Sequence, residues 1–273
     1  GVASIGVGIM LAMGKKINLK ERRVIRDAMN LDSGKGLRIF HWCGISRSAA
    51  CRIRRSRQIG INLNLAPVAD LASDQNPSYA MRCLGSDADG VADLLDDFVS
   101  GMREGGLSVT LKTFPGIGNV SADVTESIAE NTDSLMTIRD TNFVPYASGI
   151  QAGADCVMVS NAAYSKLTVK KVPAFMSQDI VTKLLREELG FDGIVMTSPL
   201  NDNVIENNYT NEFAVVEAVK AGCDLIVLPG NFKECYEALI TAVEEGRIDE
   251  KVINTSVRRI LQNKIQRGIL VLE

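Results

Sequence analysis

Short apolar runs alternate with loops and amphipathic helical segments along almost the whole chain, and this alternation limits the fold more than any other feature. The runs are Ile5–Leu11, Leu37–Phe40, Ile61–Ala66, Leu107–Leu111, Cys156–Ser160, Ile194–Thr197 and Leu225–Leu228. They read as largely apolar runs, the pattern of parallel strands buried on both faces. Between them lie helical stripes. Val91, Leu94, Leu95, Phe98 and Met102 keep helical spacing up to a capping Gly105. Ser177 can cap a helix carrying Ile180, Val181, Leu184 and Leu185 that stops at Gly190. Phe232, Tyr236, Leu239, Ile240 and Val243 form a third stripe, and Asp249 opens a fourth with Ile253, Val257, Ile260 and Leu261. Strands alternating with helices give a parallel α/β fold, either an eightfold barrel or a doubly wound sheet. No GxGxxG or GxxxxGK[ST] is present, so nucleotide-type sheets lose support. The expectation is a TIM-type (β/α) barrel forming a single domain over 1–273.

Composition narrows the function classes. Net charge is only −3. The basic segment Arg47, Arg52, Arg54, Arg55 and Arg57 has no interleaved aromatics, so it reads as a solvated face and nucleic acid is not expected as a partner. No apolar run reaches the roughly 18–20 residues of a membrane-spanning helix. The single histidine, His41, excludes any metal site or acid–base scheme needing two, and neither a metal nor a cofactor is expected. The cysteines at 43, 51, 83, 156, 223 and 235 form no CxxC pair; several sit in apolar segments and read as buried thiols of a reducing, cytoplasmic compartment. The chain begins at Gly1 without a signal-like segment, which reads as a processed or truncated product.

The polar and Gly/Pro-rich phrases all follow strand ends: APVAD (66–70), KTFPGIG (112–118), SNAAY (160–164), TSPLND (197–202) and LPG (228–230). Barrel enzymes assemble their sites at that end of the strands. The longest of these loops, Lys112–Ser127, holds a lysine, Asp123 and several hydroxyls, the material of a polar pocket.

Taken together, GINLNLAPVADL, MRCLGSD, LKTFPGIGNVSADVT, GIQAGADCVMVSNAAY, ELGFDGIVMTSPL, AGCDLIVLP and IDEKVINTSVRRILQNKIQRG, from about residue 59 to 268, resemble the N-terminal barrel of glycoside hydrolase family 3. The likeness is to its bacterial β-N-acetylglucosaminidase branch. It implies a retaining glycosidase ancestry, in which one group attacks the anomeric carbon and another protonates the leaving oxygen. By the same resemblance Arg82, Lys112, Thr113, Asn161 and Asp70 stand at substrate-binding positions, Asp70 being as much structural as substrate-facing. An N-acetylglucosamine-containing saccharide is the implied ligand.

The departures from the family pattern fall on its chemistry. The nucleophile phrase, GFDGVVxTDDL in the family, reads GFDGIVMTSPL here and places Ser198 at the nucleophile position. The acid/base loop, KHFPGHGxTxxDSH in the family, reads KTFPGIGNVSADVT. Asp123 of the Asp–His dyad persists, Thr125 replaces its histidine, and the other loop histidines fall on Thr113 and Ile117. A serine with no base beside it is a poor nucleophile, and a threonine cannot shuttle a proton near neutral pH. The front of the chain also departs. Family members have a strand before Ile5–Leu11, and their sugar-binding aspartate falls near Trp42. The expectation is a barrel incomplete or distorted at its N-terminus, with a homo-oligomer or a partner chain covering the exposed edge.

Three functions follow from this reading. The first is a catalytically impaired, β-N-acetylhexosaminidase-type protein keeping part of a sugar pocket. The second is a working retaining hydrolase with relocated carboxylates, drawn from Asp202, Glu206, Asp123 and Glu126. The third is a non-catalytic structural or interaction subunit. The bland reading of Asp202 and Glu206 is a solvated helix start. His41 and Trp42 are read as packing residues, and Met158 and Met196 as core.

Overall fold

The computed structural model describes the strand Ile39–Phe40 and residues 60–120 and 123–271. The expected strand at Ile5–Leu11, the arginine-rich segment, His41 and Trp42 lie outside the described residues. Five parallel strands form one sheet: β1 (Ile39–Phe40), β2 (Leu63–Asn64), β3 (Ser108–Phe114), β5 (Cys156–Val159) and β7 (Ile194–Thr197), hydrogen-bonded in the order β1-β2-β3-β5-β7. A two-stranded parallel pair, β4 (Glu130–Asn131) with β6 (Ala163–Tyr164), stands beside the loop that follows β3. Helices connect them: α1 (Pro77–Ala80), α2 (Ala88–Glu104), α3 (Leu135–Asp140), α4 (Phe143–Gln151), the π-wound α5 (Asp179–Glu188), α6 (Asn203–Glu206), α7 (Asn211–Ala221), α8 (Phe232–Glu244) and α9 (Glu250–Gln266). A parallel sheet with an intervening helix at each crossover from β2 onward is the expected α/β architecture.

The strands differ from the apolar runs at their ends. The run at Ile61–Ala66 is strand only at Leu63–Asn64, whereas β3 continues past Leu111 to Phe114, so Lys112 and Thr113 belong to strand rather than loop. Leu225–Leu228 is not a full strand. It forms one bridge, Met196 to Leu225. Two residues later the Val227 N–H donates 3.0 Å to the Thr197 hydroxyl in place of a backbone carbonyl, and Leu228 turns to φ 48°. A side chain has taken the ladder position.

Period-two alternation sorts the sheet into two apolar layers. Val109, Leu111, Val157, Val159 and Val195 face the helices; Leu63, Cys156, Met158, Ile194, Met196, Leu225 and Val227 form an inner cluster closed by Ile260 of α9. On β3 the inner file reads Thr110 then Lys112, and Lys112 sits in register with Met158, which pairs with Met196. The helical stripes hold with two adjustments. On α2 Leu94 is exposed. The buried seam of α8 is Cys235, Leu239 and Ala242, and of the stripe read from sequence Leu239 belongs to it while Phe232, Tyr236, Ile240 and Val243 flank it half-buried. The last turn of α2 is followed by Gly105, Ser177 accepts the Ile180 N–H at 3.4 Å before α5, and Asp249 caps α9.

Two buried aspartates tie α9 to the start of the strands. Asp155, just before β5, accepts the Val109 N–H of β3 at 3.0 Å, the Asn263 amide at 3.2 Å and the Arg267 guanidinium at 2.5 Å. Asp224, just before Leu225, accepts the Val195 N–H of β7 at 2.9 Å, Ser256 at 2.7 Å, Arg186 at 2.5 Å and Arg259 at 3.4 Å. The phrases GADC and GCDL thus perform the same job twice. They lie at the end of the sheet opposite the loops that carry polar residues, where barrel folds keep their stabilising contacts.

Candidate functional site

The loop after β3 is held from beneath by Asp70. This carboxylate is fully buried and accepts the Thr113 N–H at 3.0 Å, the Thr113 hydroxyl at 2.7 Å, Tyr79 at 2.8 Å, Tyr146 at 2.9 Å and the Ile117 N–H at 3.3 Å. Burial pushes its pKa up, against the pull of those donors. Of the two roles the resemblance implies for Asp70, the structure has it in the structural one: it lies under the cleft and does not line it. Two glycines are required for the close packing here. A Cβ on Gly118 would stand 1.9 Å from the Leu71 carbonyl oxygen, and one on Gly116, at φ 116°, 2.0 Å from the Asn142 amide. Asn142 in turn donates to Pro115 O, and Tyr164 to Gly116 O.

Above this support a cleft of about 530 Å³ opens at the C-terminal ends of the strands, within the range of small-ligand pockets. It gathers Arg82, Lys112, Thr113, Asp123, Thr125, Asn161, Ser198 and Asp202 over a floor of Leu65, Met158 and Val227. Six separate chain segments therefore converge on one cavity. Lys112 is 3% exposed. The Arg82 guanidinium lies 5.1 Å from the centre of the Tyr79 ring, a cation–π distance. Tyr79 also bonds Asp70, so Arg82 is indirectly registered to the loop support.

The two positions at which the resemblance puts family chemistry are both engaged in local bonds. Ser198 is buried, and its hydroxyl donates 2.9 Å to the Val159 carbonyl on β5. Thr125 is exposed; its hydroxyl and its N–H both bond Asp123 Oδ1, at 2.7 and 2.9 Å. Those two bonds hold the Asp123 carboxyl below its ordinary value.

Asp202 carries a different signal. It stands at the start of α6 and accepts 2.9 Å from the Asn161 amide. Its carboxyl is pushed up to about 6, first by burial and then by Asp123, Glu126 and Glu206, with the Asn161 bond opposing. Asn161 is almost fully buried, and its Oδ1 has no hydrogen-bond partner. The loops carrying the two carboxylates are joined: the Val204 N–H donates to Thr125 O at 2.8 Å and Asn203 to Glu126 at 2.9 Å. Sequence reasoning offered Asp202 as a relocated carboxylate and, in the bland reading, as a solvated helix start. The signal against that reading is Asn161, the residue standing where the family has a histidine, whose amide turns toward Asp202. Tyr79 also lines the cleft and was missed, since it stands two residues before the family phrase MRCLGSD and not within it. Among the described residues no group of three or more His, Cys, Asp and Glu side chains could hold a metal ion, and no helix is long and apolar enough to cross a membrane.

Residues 28–263 match the glycosyl hydrolase family 3 N terminal domain. The chain belongs to this family. A family 3 β-N-acetylglucosaminidase from Paenibacillus sp. str. FPU-7 superposes with a TM-score of 0.79 at 33% identity, covering 83% of this chain and 44% of that one. A β-N-acetylhexosaminidase from Beutenbergia cavernae DSM 12333 gives 0.73 at 31% identity over 80% of this chain and 67% of that one. By sequence, the domain is 33% identical over 214 residues to a β-hexosaminidase of Stenotrophomonas maltophilia (strain K279a), covering 78% of this chain and 60% of that protein. It is 29% identical over 235 residues to a β-N-acetylglucosaminidase/β-glucosidase of Cellulomonas fimi, covering 82% of this chain and 42% of that protein. The chain thus spans between about two fifths and three fifths of these two curated relatives.

The fold of this family 3 domain is accordingly the barrel type of its structural neighbours. Its described strands form a run of five.

Proposed function

We propose that this chain is the saccharide-binding barrel of a β-N-acetylhexosaminidase-type family 3 protein in which the family's retaining hydrolysis is impaired or lost. The observation that carries the reading is the content of one cleft. Arg82, Lys112 and Asn161 line the same cavity as Ser198 and Thr125, so groups able to bond sugar hydroxyls survive where the two reacting groups do not. The Ser198 hydroxyl is spent as a donor to Val159 O. A hydroxyl so placed is a weak nucleophile at neutral pH. Thr125 lacks a titrating group in the useful range.

Isothermal titration with N-acetylglucosamine, beside a chromogenic assay on 4-nitrophenyl N-acetyl-β-glucosaminide, tests both halves. Binding with turnover at least about 100-fold below that of ordinary family members is expected, the size of a lost acid–base contribution. Turnover at the level of ordinary family members would overturn the impairment, and absence of binding would overturn the sugar pocket.

A further inference from the structure

We propose that Asp202 and Asp123 form a substitute acid–base pair that hydrolyses the bound saccharide slowly and with inversion, by a single displacement. The inference rests on the cleft binding a saccharide, as read above. Both carboxylates line that cleft with Arg82 and Lys112. Their loops are bonded to each other by Val204 to Thr125 O and Asn203 to Glu126, so the two groups keep a fixed relation. The environments then divide the roles. Asp202 is half-buried, bonded by Asn161, and has three like-charged neighbours, Asp123, Glu126 and Glu206. Asp123 and Glu126 come from the β3–β4 loop and Glu206 from its own helix, while Lys112 on β3 and Arg82 after α1 are the cations of the same cleft. Asp123 is exposed and takes two bonds from Thr125 on one oxygen. Burial and repulsion keep the first protonated to about pH 6, and the Thr125 bonds keep the second ionised. Carboxyl groups pushed apart in this way mark an acid and a base.

In this step a water molecule attacks the anomeric carbon from the side opposite the leaving oxygen and gives its proton to Asp123. The glycosidic C–O bond breaks as Asp202 gives its proton to the leaving oxygen. Both groups then re-equilibrate with solvent. No covalent intermediate forms. Asp123 acts on water and does not attack carbon: its Oδ1 already carries both Thr125 bonds, and the position from which the family's nucleophile attacks holds Ser198, whose hydroxyl is committed to Val159 O.

The experiment measures the intact chain, Asp202→Asn and Asp123→Asn on a 4-nitrophenyl and a 2,4-dinitrophenyl N-acetyl-β-glucosaminide, with the first-formed anomer read by NMR. Saccharide binding is checked in each by titration calorimetry. Asp202→Asn is expected to lose about 100-fold on the nitrophenyl substrate, typical of a general acid, but far less on the dinitrophenyl one, whose leaving group departs without a proton. Asp123→Asn is expected to lose activity on both, and the first product to be the α anomer. The rate of the parent should fall as pH rises through about 6. Saccharide binding with turnover equal in all three proteins, binding without any turnover, or a β product would each overturn the pair. Loss of binding in the parent would instead overturn the reading on which it rests.

Discussion

Replacing Asp224 by alanine should be among the most damaging single changes in this domain, and its size can be worked from the contacts. Asp224 is 0% exposed and is the shared acceptor for Val195 N–H, Ser256, Arg186 and Arg259. Removing one member of a buried charged cluster costs about 3–5 kcal/mol, because the remaining charge is left uncompensated. Two facts moderate this. Arg186 keeps the carbonyls of Phe191 and Gly193, at 3.1 and 2.5 Å, and Arg259 keeps Asp192 at 3.0 Å. The charge loss then stands near the lower limit, about 3 kcal/mol. To this is added about 1 kcal/mol for the Val195 N–H, which is left buried without an acceptor. A total near 4 kcal/mol corresponds to a fall in Tm of roughly 8–16 °C for a domain of this size. Thermal and urea unfolding followed by circular dichroism measure it. Asp192→Ala is the built-in control, since it removes the other carboxylate on Arg259 at a site 93% exposed, where the loss should be below about 1 kcal/mol. A drop of less than about 3 °C for Asp224→Ala, or one equal to that of Asp192→Ala, would refute the burial argument on which the estimate is built.

Asp202→Asn should stabilise the domain in a pH-dependent way. The folded carboxyl titrates near 6 against an ordinary 3.8, so the folded state holds the extra proton between those values, and stability falls as pH rises through 6. After discounting for a half-exposed group, the variant should be more stable by about 1 kcal/mol at pH 7 and equal to the parent near pH 4. Denaturant titrations at the two pH values check this, and a variant less stable at pH 7 contradicts it. Gly118→Ala places its Cβ against the Leu71 carbonyl oxygen, which is backbone and cannot swing away. A loss of about 2–3 kcal/mol is expected from overpacking, together with weaker saccharide binding in calorimetry; an unchanged Tm would show that the loop can shift freely.

The alternation of apolar runs made the parallel α/β architecture legible, because a strand buried on both faces carries its signature residue by residue. Strand ends were less legible. Whether Lys112 and Thr113 belong to strand or loop depends on Asp70, which lies 43 residues from Thr113 and captures its N–H and hydroxyl. The failure of Leu225–Leu228 to form a regular strand depends on the Thr197 hydroxyl occupying a ladder position, which no local pattern encodes. At the site, Arg82, Lys112, Thr113, Asp123, Thr125, Asn161 and Ser198 do share one cleft, since each lies in the last residues of a strand, follows a strand end or lies in a crossover on that side. Asp202 was underrated for a physical reason. Its environment comes from Asn161, Asp123 and Glu126, all at least 41 positions away, and a carboxylate at a helix start looks solvated until those neighbours are in place.

The tie between α9 and the strand starts bears on how the chain reaches this structure. Ser108 donates to Asn263 across 155 residues, and Arg267 reaches Ser108 across 159. Asp155, which fastens β5 to β3, takes part of its hydrogen bonding from the same helix. Contacts of such large sequence separation are formed late and slowly, because the entropy of closing a long loop must be overcome before they contribute. During synthesis the strands of the sheet would therefore wait, with Asp155 unneutralised and Asp224 held by Arg186 alone, until the last helix has left the ribosome and docked. The final catch of folding in this domain is a pair of carboxylates meeting arginines, and low salt should hasten it.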